Sequence, residues 1–217
     1  MNGWRSKTLL GAGLLLASWM THADPVYLVE LANFACPHCD HMHAYEPGIA
    51  QAVKATGGEF DFAPAPAEKQ SDSAAKIYYA ARQQGPVIAA ETESLLFEAM
   101  AVDGLPVQNA TQGIVFLQQD WPKTIPAPDY DKLARDTADA AVEAAANKAI
   151  TLGADMGASR LPAFIFIQNG APVGMLARGA RYPTMPRLRQ AVLQAIGLYA
   201  TGARLPASTP PAAKDLS

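Results

Sequence analysis

Cys36 and Cys39 are the only cysteines among 217 residues. They stand in Phe34-Ala35-Cys36-Pro37-His38-Cys39, with Asp40-His41-Met42-His43 directly behind. A structural disulfide framework needs several pairs, whereas two cysteines this close form a very small loop, as in a redox switch. The attacking form in such chemistry is the thiolate. A helix N-terminus favours it, through unpaired N–H groups and the positive end of the helix dipole. The same stretch also offers a metal-binding reading. Cys36, His38, Cys39, His41 and His43 are soft or borderline ligands on one short segment. Closed zinc sites usually draw ligands from two separated segments, which makes this the weaker reading.

The elements around the pair suit the redox reading. Val26 to Phe34 is nearly continuous in apolar residues, as for a strand buried on both faces of an α/β sheet. Glu30 interrupts it, either as a solvent-facing acid near a strand end or as a buried acid beneath the cysteines. From Pro37 the pattern turns helical and runs to Ala55, with Pro37 tolerated in the first turn and Pro47 expected to kink the helix. Cys36, Cys39 and His43 fall at i, i+3 and i+7, on one helix face.

The remainder is legible in outline. Residues 1–23 read as a cleaved secretory signal peptide: Arg5 and Lys7, then a short apolar run from Leu9 to Trp19, then Thr21-His22-Ala23. Export implies an oxidising compartment such as a periplasm. Glu59 to Ala63 reads as a second strand, stopped by Pro64 and Pro66. The next eighty or so residues carry helical apolar stripes, among them Ala74/Ile77/Tyr78/Ala81, Leu95/Leu96/Ala99/Met100 and Ala138/Val142/Ala145/Ala149. Pro122, Pro126 and Pro128 form a rigid connection between the last two helices. Ala163 to Gln168 is a further strand, and Asn169-Gly170 a hairpin turn leading to Val173-Gly174-Met175-Leu176. Thr184 to Tyr199 closes the pattern as a helix, and residues 201–217, rich in Pro, Ala, Ser and Thr, read as a disordered tail. The formal charge of −3 gives no reason to expect nucleic-acid binding. A monomer without cofactor or metal is expected.

Phe34-Ala35-Cys36-Pro37-His38-Cys39, after an apolar strand and before a helix, resembles the active-site signature of DsbA-like thiol:disulfide oxidoreductases. The resemblance implies an α/β chain with a thioredoxin fold, residues 24–66 and 153–200, and a helical subdomain, residues 67–152, inserted between the second and third strands. It implies that Cys36 is the exposed nucleophile, with Pro37 and His38 setting its reactivity, and that Cys39 is the buried partner. Pro162 matches the cis-proline that lies against the cysteines in this fold. Leu161 before it departs from the often β-branched residue there, which bears on substrate preference. Glu30 matches an acid six residues before the first cysteine, able to relay a proton when Cys39 ionises. His43 replaces an acid and, protonated, would act as a modulator that favours the Cys36 thiolate. The implied activity is donation of the Cys36–Cys39 disulfide to exported proteins with free thiols, followed by re-oxidation by a DsbB-type membrane protein. A reductase or isomerase on the same fold is the nearest alternative.

Overall fold

The computed structural model describes residues 25–203. The expected signal peptide and most of the expected tail lie outside them. The chain folds in the order β1 (Tyr27–Ala32), α1 (Pro37–His43), α2 (Glu46–Ala55), β2 (Glu59–Pro64), α3 (Ser73–Arg82), α4 (Pro86–Phe97), α5 (Ala110–Asp120), α6 (Tyr130–Asp136), α7 (Ala140–Asp155), β3 (Ala163–Gln168), β4 (Ala171–Ala177) and α8 (Met185–Ala200). The four strands form one sheet in the order β2-β1-β3-β4. β1 runs parallel to β2 and antiparallel to β3, and β3 is antiparallel to β4. This is a thioredoxin fold with helices α3 to α7 inserted between β2 and β3.

β1 is central, which explains its apolar run. Side chains alternate across a strand. Leu28 packs with Ile49 and Val53 of α2 and Leu188 and Val192 of α8. Val29 and Leu31 face the other way, toward Ala149 and Leu152 of α7. α7 is thus part of the helical insertion in sequence and a cover of the sheet in space. The hairpin between β3 and β4 turns on Asn169 and Gly170, both with positive φ (52° and 74°). That is the geometry an Asn-Gly two-residue turn supplies at little cost. Gly58, just ahead of β2, is fixed by close approach: a Cβ there would lie 2.0 Å from the Val26 carbonyl oxygen.

Two features differ from the sequence reading. The expected single helix over 37–55 is two helices, broken at Ala44 and Tyr45. Pro47 cannot donate a backbone hydrogen bond, so it sits in the first turn of a new helix, where no donor is needed. The stretch after Pro128 holds an additional short helix, α6. Asp129 caps it by accepting from the Lys132 amide at 2.8 Å, a contact of about 1 kcal/mol.

The insertion joins the sheet through an aromatic cluster. Phe34 follows β1 and meets Phe97 of α4 edge-on at 5.0 Å, while Phe62 of β2 meets Tyr78 of α3 at 5.2 Å. Such pairs add roughly 0.5–1.5 kcal/mol each beyond area burial. Cys39 lies in this same cluster, so the packing that attaches the insertion also seals one of the two sulfurs.

Candidate active site

Asn33 shapes the loop between β1 and α1. Its side chain donates to the Ala65 carbonyl (2.9 Å) and to Gln70 Oε1 (2.8 Å), and accepts from the Ala35 amide (2.9 Å). Its own carbonyl accepts from the Cys36 amide at 2.9 Å. The chain is thereby turned so that Cys36 occupies the N-cap of α1, with extended backbone (φ −94°, ψ 111°). The Cys36 carbonyl accepts from the Cys39 and Asp40 amides, closing the first helical turn.

The two cysteines, both free thiols, lie in opposite environments. Cys36 is half-buried and Cys39 fully buried. A hydrogen bond from Cys39 lowers the Cys36 thiol pKa to about 6, against the cost of partial burial. The backbone N–H groups of Cys39 and His38 and the charge of Arg178 add to the lowering. The Cys39 thiol moves the other way, because it is tied up in bonding Cys36, is desolvated, and lies near both Cys36 and Glu30. One sulfur is therefore presented as a thiolate and the other held as a thiol.

Several expected residues contribute differently from the sequence reading. His38 helps Cys36 through its backbone amide. Its ring is pushed toward the neutral form by desolvation and by the charges of Arg178 and His41. The cation acting on the thiolate is Arg178, which no local motif marks. It follows β4, and its amide donates to the Pro162 carbonyl at 3.3 Å. Pro37 is exposed in the first turn of α1. The Leu161–Pro162 bond is cis. Pro162 is buried just ahead of β3, where Ala163 pairs with Leu31. It therefore lies at the end of the sheet from which the loop to Cys36 departs. Leu161, half-buried, packs against the same apolar cluster that receives Cys36.

Glu30 is buried completely, and neither carboxylate oxygen has a hydrogen-bond partner. Burial, reinforced by the charges of Glu46 and Glu93, raises its pKa well above the usual carboxylate range. Its charged form is disfavoured, and it lies close enough to Cys39 to act on that thiol.

His43 is not a modulator in direct contact with Cys36. Its ring turns toward the insertion: Nδ1 lies 3.2 Å from Glu46 Oε2 and 3.0 Å from Glu93 Oε1, and Nε2 lies 3.0 Å from Ser94 Oγ. Burial opposes its charge, but the two carboxylates prevail and push the imidazole up to about 10. Burial in turn raises Glu46 to about 8, with His43 opposing and Glu93 reinforcing that rise. Glu93, fifty residues on in the chain, captures the ring. Among the described residues, His43, Glu46 and Glu93 are the group of three whose potential metal-ligating atoms lie within 4.8 Å of one another. The Cys36/His38/Cys39/His41/His43 set read from the sequence does not converge in this way.

A cavity of about 1060 Å³ lies elsewhere, between α7 and the strands, lined by Tyr27, Val29, Tyr79, Arg82, Ala145 and Leu152 among others. None of the residues assigned above lines it. No helix of the described residues is long and apolar enough to cross a membrane.

No protein-family model matches the sequence, and no curated protein matches it. Solved structures do. The chain is similar to the oxidoreductase DsbA of Xylella fastidiosa, with a TM-score of 0.60 and 18% identity over 83% of this chain and 86% of that one. It is similar to a DsbA oxidoreductase of Neisseria meningitidis at a TM-score of 0.61 and 18% identity, covering 82% and 86%. A thioredoxin-like oxidoreductase of Silicibacter pomeroyi matches at 0.53 and 23%, covering 80% and 87%. The chain thus shares the fold of DsbA-type oxidoreductases over most of its length and most of theirs, and carries a Cys-x-x-Cys pair at the start of its first helix.

Proposed function

We propose that the protein is a thiol:disulfide oxidoreductase working as a dithiol oxidase on exported proteins in the periplasm. The observation that carries this reading is the asymmetry of the pair: Cys36 at a helix N-terminus and partly open, Cys39 sealed in an apolar cluster. In the oxidised form a client thiolate attacks the Cys36 sulfur. The Cys36–Cys39 bond breaks, a client–Cys36 disulfide forms, and the electron pair leaves on Cys39, which takes up a proton. A second client thiolate then attacks the client sulfur of the mixed disulfide and expels Cys36 as thiolate. The client is left oxidised by two electrons and the protein reduced by two. A stabilised Cys36 thiolate is a good leaving group, which favours oxidation of the client over its reduction. Glu30 supplies the proton to Cys39 on the way in and accepts it on re-oxidation by a DsbB-type membrane partner. The fold likeness to DsbA-type oxidoreductases supports the same chemistry.

The test is the reduction potential of the pair, measured by equilibration with glutathione. A potential near that of strong dithiol oxidases, roughly −120 mV, is expected. A value near −270 mV, in the range of a reductase, would overturn the oxidase direction.

A further inference from the structure

Charge is divided unevenly along the described chain. Every Asp and Glu among the described residues precedes Arg160. Residues 160–203 carry Arg160, Arg178, Arg181, Arg187 and Arg189 and no acid. The fold brings this basic segment to the cysteines. β4 runs parallel to β1, so its C-terminal end, the loop 178–184 and the start of α8 lie at the end of the sheet where Cys36 emerges. Arg178 acts on both Cys36 and His38. Arg160 Nη1 lies 3.5 Å from the position a Cβ of Gly179 would take, which sets it beside Arg178. Arg181 lies over the Tyr182 ring, in the turn closed between Gly179 and Tyr182. Arg189 covers Tyr45, the residue before α2, at 5.4 Å.

These arginines are not structural pairs. Lys76, Arg82 and Lys132 each make an ion pair with an acid, whereas none of the five does among the described residues. Arg189 Nε is buried with no hydrogen-bond partner. In the stretch from Asn33 to Tyr45 the one acid is Asp40. Among the described residues the large exposed hydrophobic ones are Val87, Val102, Leu105, Val115, Ile150 and Leu198, none of them between 160 and 189. Guanidinium groups are planar, weakly hydrated and matched to carboxylates in a bidentate way. A set of them around a thiol steers an oppositely charged partner and raises its encounter rate.

We propose that Arg160, Arg178, Arg181, Arg187 and Arg189 form a docking rim for acidic polypeptide segments flanking the client cysteine. The proposal names the substrate class of the oxidoreductase reading above and rests on it. A carboxylate-rich segment beside the client thiol would seat on the rim and deliver that thiol to Cys36.

The test uses the oxidised full-length protein and two dithiol peptides alike except for flanking Glu or flanking Lys. At low ionic strength the acidic peptide should be oxidised roughly tenfold faster or more. The ratio should collapse toward one in ~1 M salt, where the Debye length is about 3 Å. It should fall in the Arg160→Gln/Arg181→Gln/Arg187→Gln variant. The salt series on the unaltered protein keeps the test independent of how that variant folds. Equal rates for the two peptides, while dithiothreitol is still oxidised, would overturn the rim and leave the oxidase standing. No transfer to any dithiol would remove the oxidase reading itself. Equal peptide rates with arginine-dependent sedimentation on phosphatidylglycerol vesicles would overturn the polypeptide assignment in favour of a lipid surface.

Discussion

The carbonyl of Asn33 accepts the amide of Cys36 at 2.9 Å, while the Asn33 side chain is tied to Ala65 and Gln70 beyond β2. One buried asparagine therefore links the last residue before the cysteine loop to the segment leaving the edge strand. Asn33→Ala removes these side-chain bonds and leaves the Ala35 amide without its acceptor. Loss of buried hydrogen bonds of this kind costs about 1–3 kcal/mol. Urea denaturation of Asn33→Ala should show a loss in that range. The Cys36 thiolate, followed by its ultraviolet absorbance, should titrate at higher pH. An unchanged titration would mean that α1 holds Cys36 in place without this anchor.

The redox pair should make the reduced protein the more heat-stable form at neutral pH. Cys36 has a depressed pKa in the fold, about 6, against roughly 8.5 for a free thiol. Its contribution is complete above the unfolded value and is lost as pH falls through about 6. The oxidised form has no thiolate. The disulfide that replaces it closes a loop holding only Pro37 and His38, so it restricts the unfolded chain little. Calorimetry should find the reduced form melting higher at pH 7, with the gap closing by pH 5. Over the same range Cys36 should lose its reactivity toward alkylating agents, while Cys39 stays protected throughout. An oxidised form that melts higher at pH 7 would contradict this account.

Glu30 should cost the protein stability as pH rises. Its folded pKa is raised, so the stability it contributes is complete below the unfolded value of about 4.3 and is lost as pH climbs toward the folded value. Glu30→Gln keeps the shape and removes the titration. The variant should therefore gain on the native protein between pH 4 and pH 7. It should also slow re-oxidation of the reduced pair, because Cys39 loses its proton acceptor. A constant stability difference across that range would place the Glu30 carboxyl in contact with water.

His43 lies against two buried acids, Glu46 and Glu93, so its removal should be costly. Breaking a buried pair by deleting one partner destabilises by about 3–5 kcal/mol. His43→Ala should approach that loss at pH 7, and Glu93→Gln introduced with it should recover part, since one carboxylate fewer is left uncompensated. For the native protein the His43 contribution is complete below its unfolded pKa, near 6.5, and is lost as pH rises through about 10. Chemical denaturation from pH 6 to pH 10 would show this decline, and a flat profile would rule it out.

The parts of this arrangement that were legible in the sequence are those with local causes. The cysteine spacing, the Asn169-Gly170 hairpin, the central strand and the apolar stripe of α3 each follow from neighbours in sequence; on α7 the stripe holds at Val142 and Ala149, while Ala138 lies exposed ahead of the helix and Ala146 is buried in place of Ala145. The position of the α1–α2 break was less legible, because Pro47 kinking one helix and Pro47 starting another look alike until the neighbouring packing is known. Arg178 and Glu93 were illegible. Each acts on the site only after the sheet or the insertion has folded back, over separations that no periodicity records. Asn33 left a faint signal, as a lone amide in an otherwise apolar run next to the cysteines. His43 was read from helix-face geometry and from the resemblance, and its direction is set by a partner on α4.

β1, which delivers the cysteine loop, lies between β2 at residues 59–64 and β3 at residues 163–168. A chain made from its N-terminus therefore presents both cysteines long before the second neighbour of their strand exists. Until β3 and β4 arrive, Pro162 is not at their end of the sheet and Arg178 does not act on Cys36. In an unfolded chain the two sulfurs are ordinary thiols of like reactivity. Pairings across such distances form late, because the loop must close before the contacts repay it. The difference between the two sulfurs is thus acquired with folding, and its Arg178 share comes last. The protein is chemically quiet while it is itself an unfinished chain with exposed thiols.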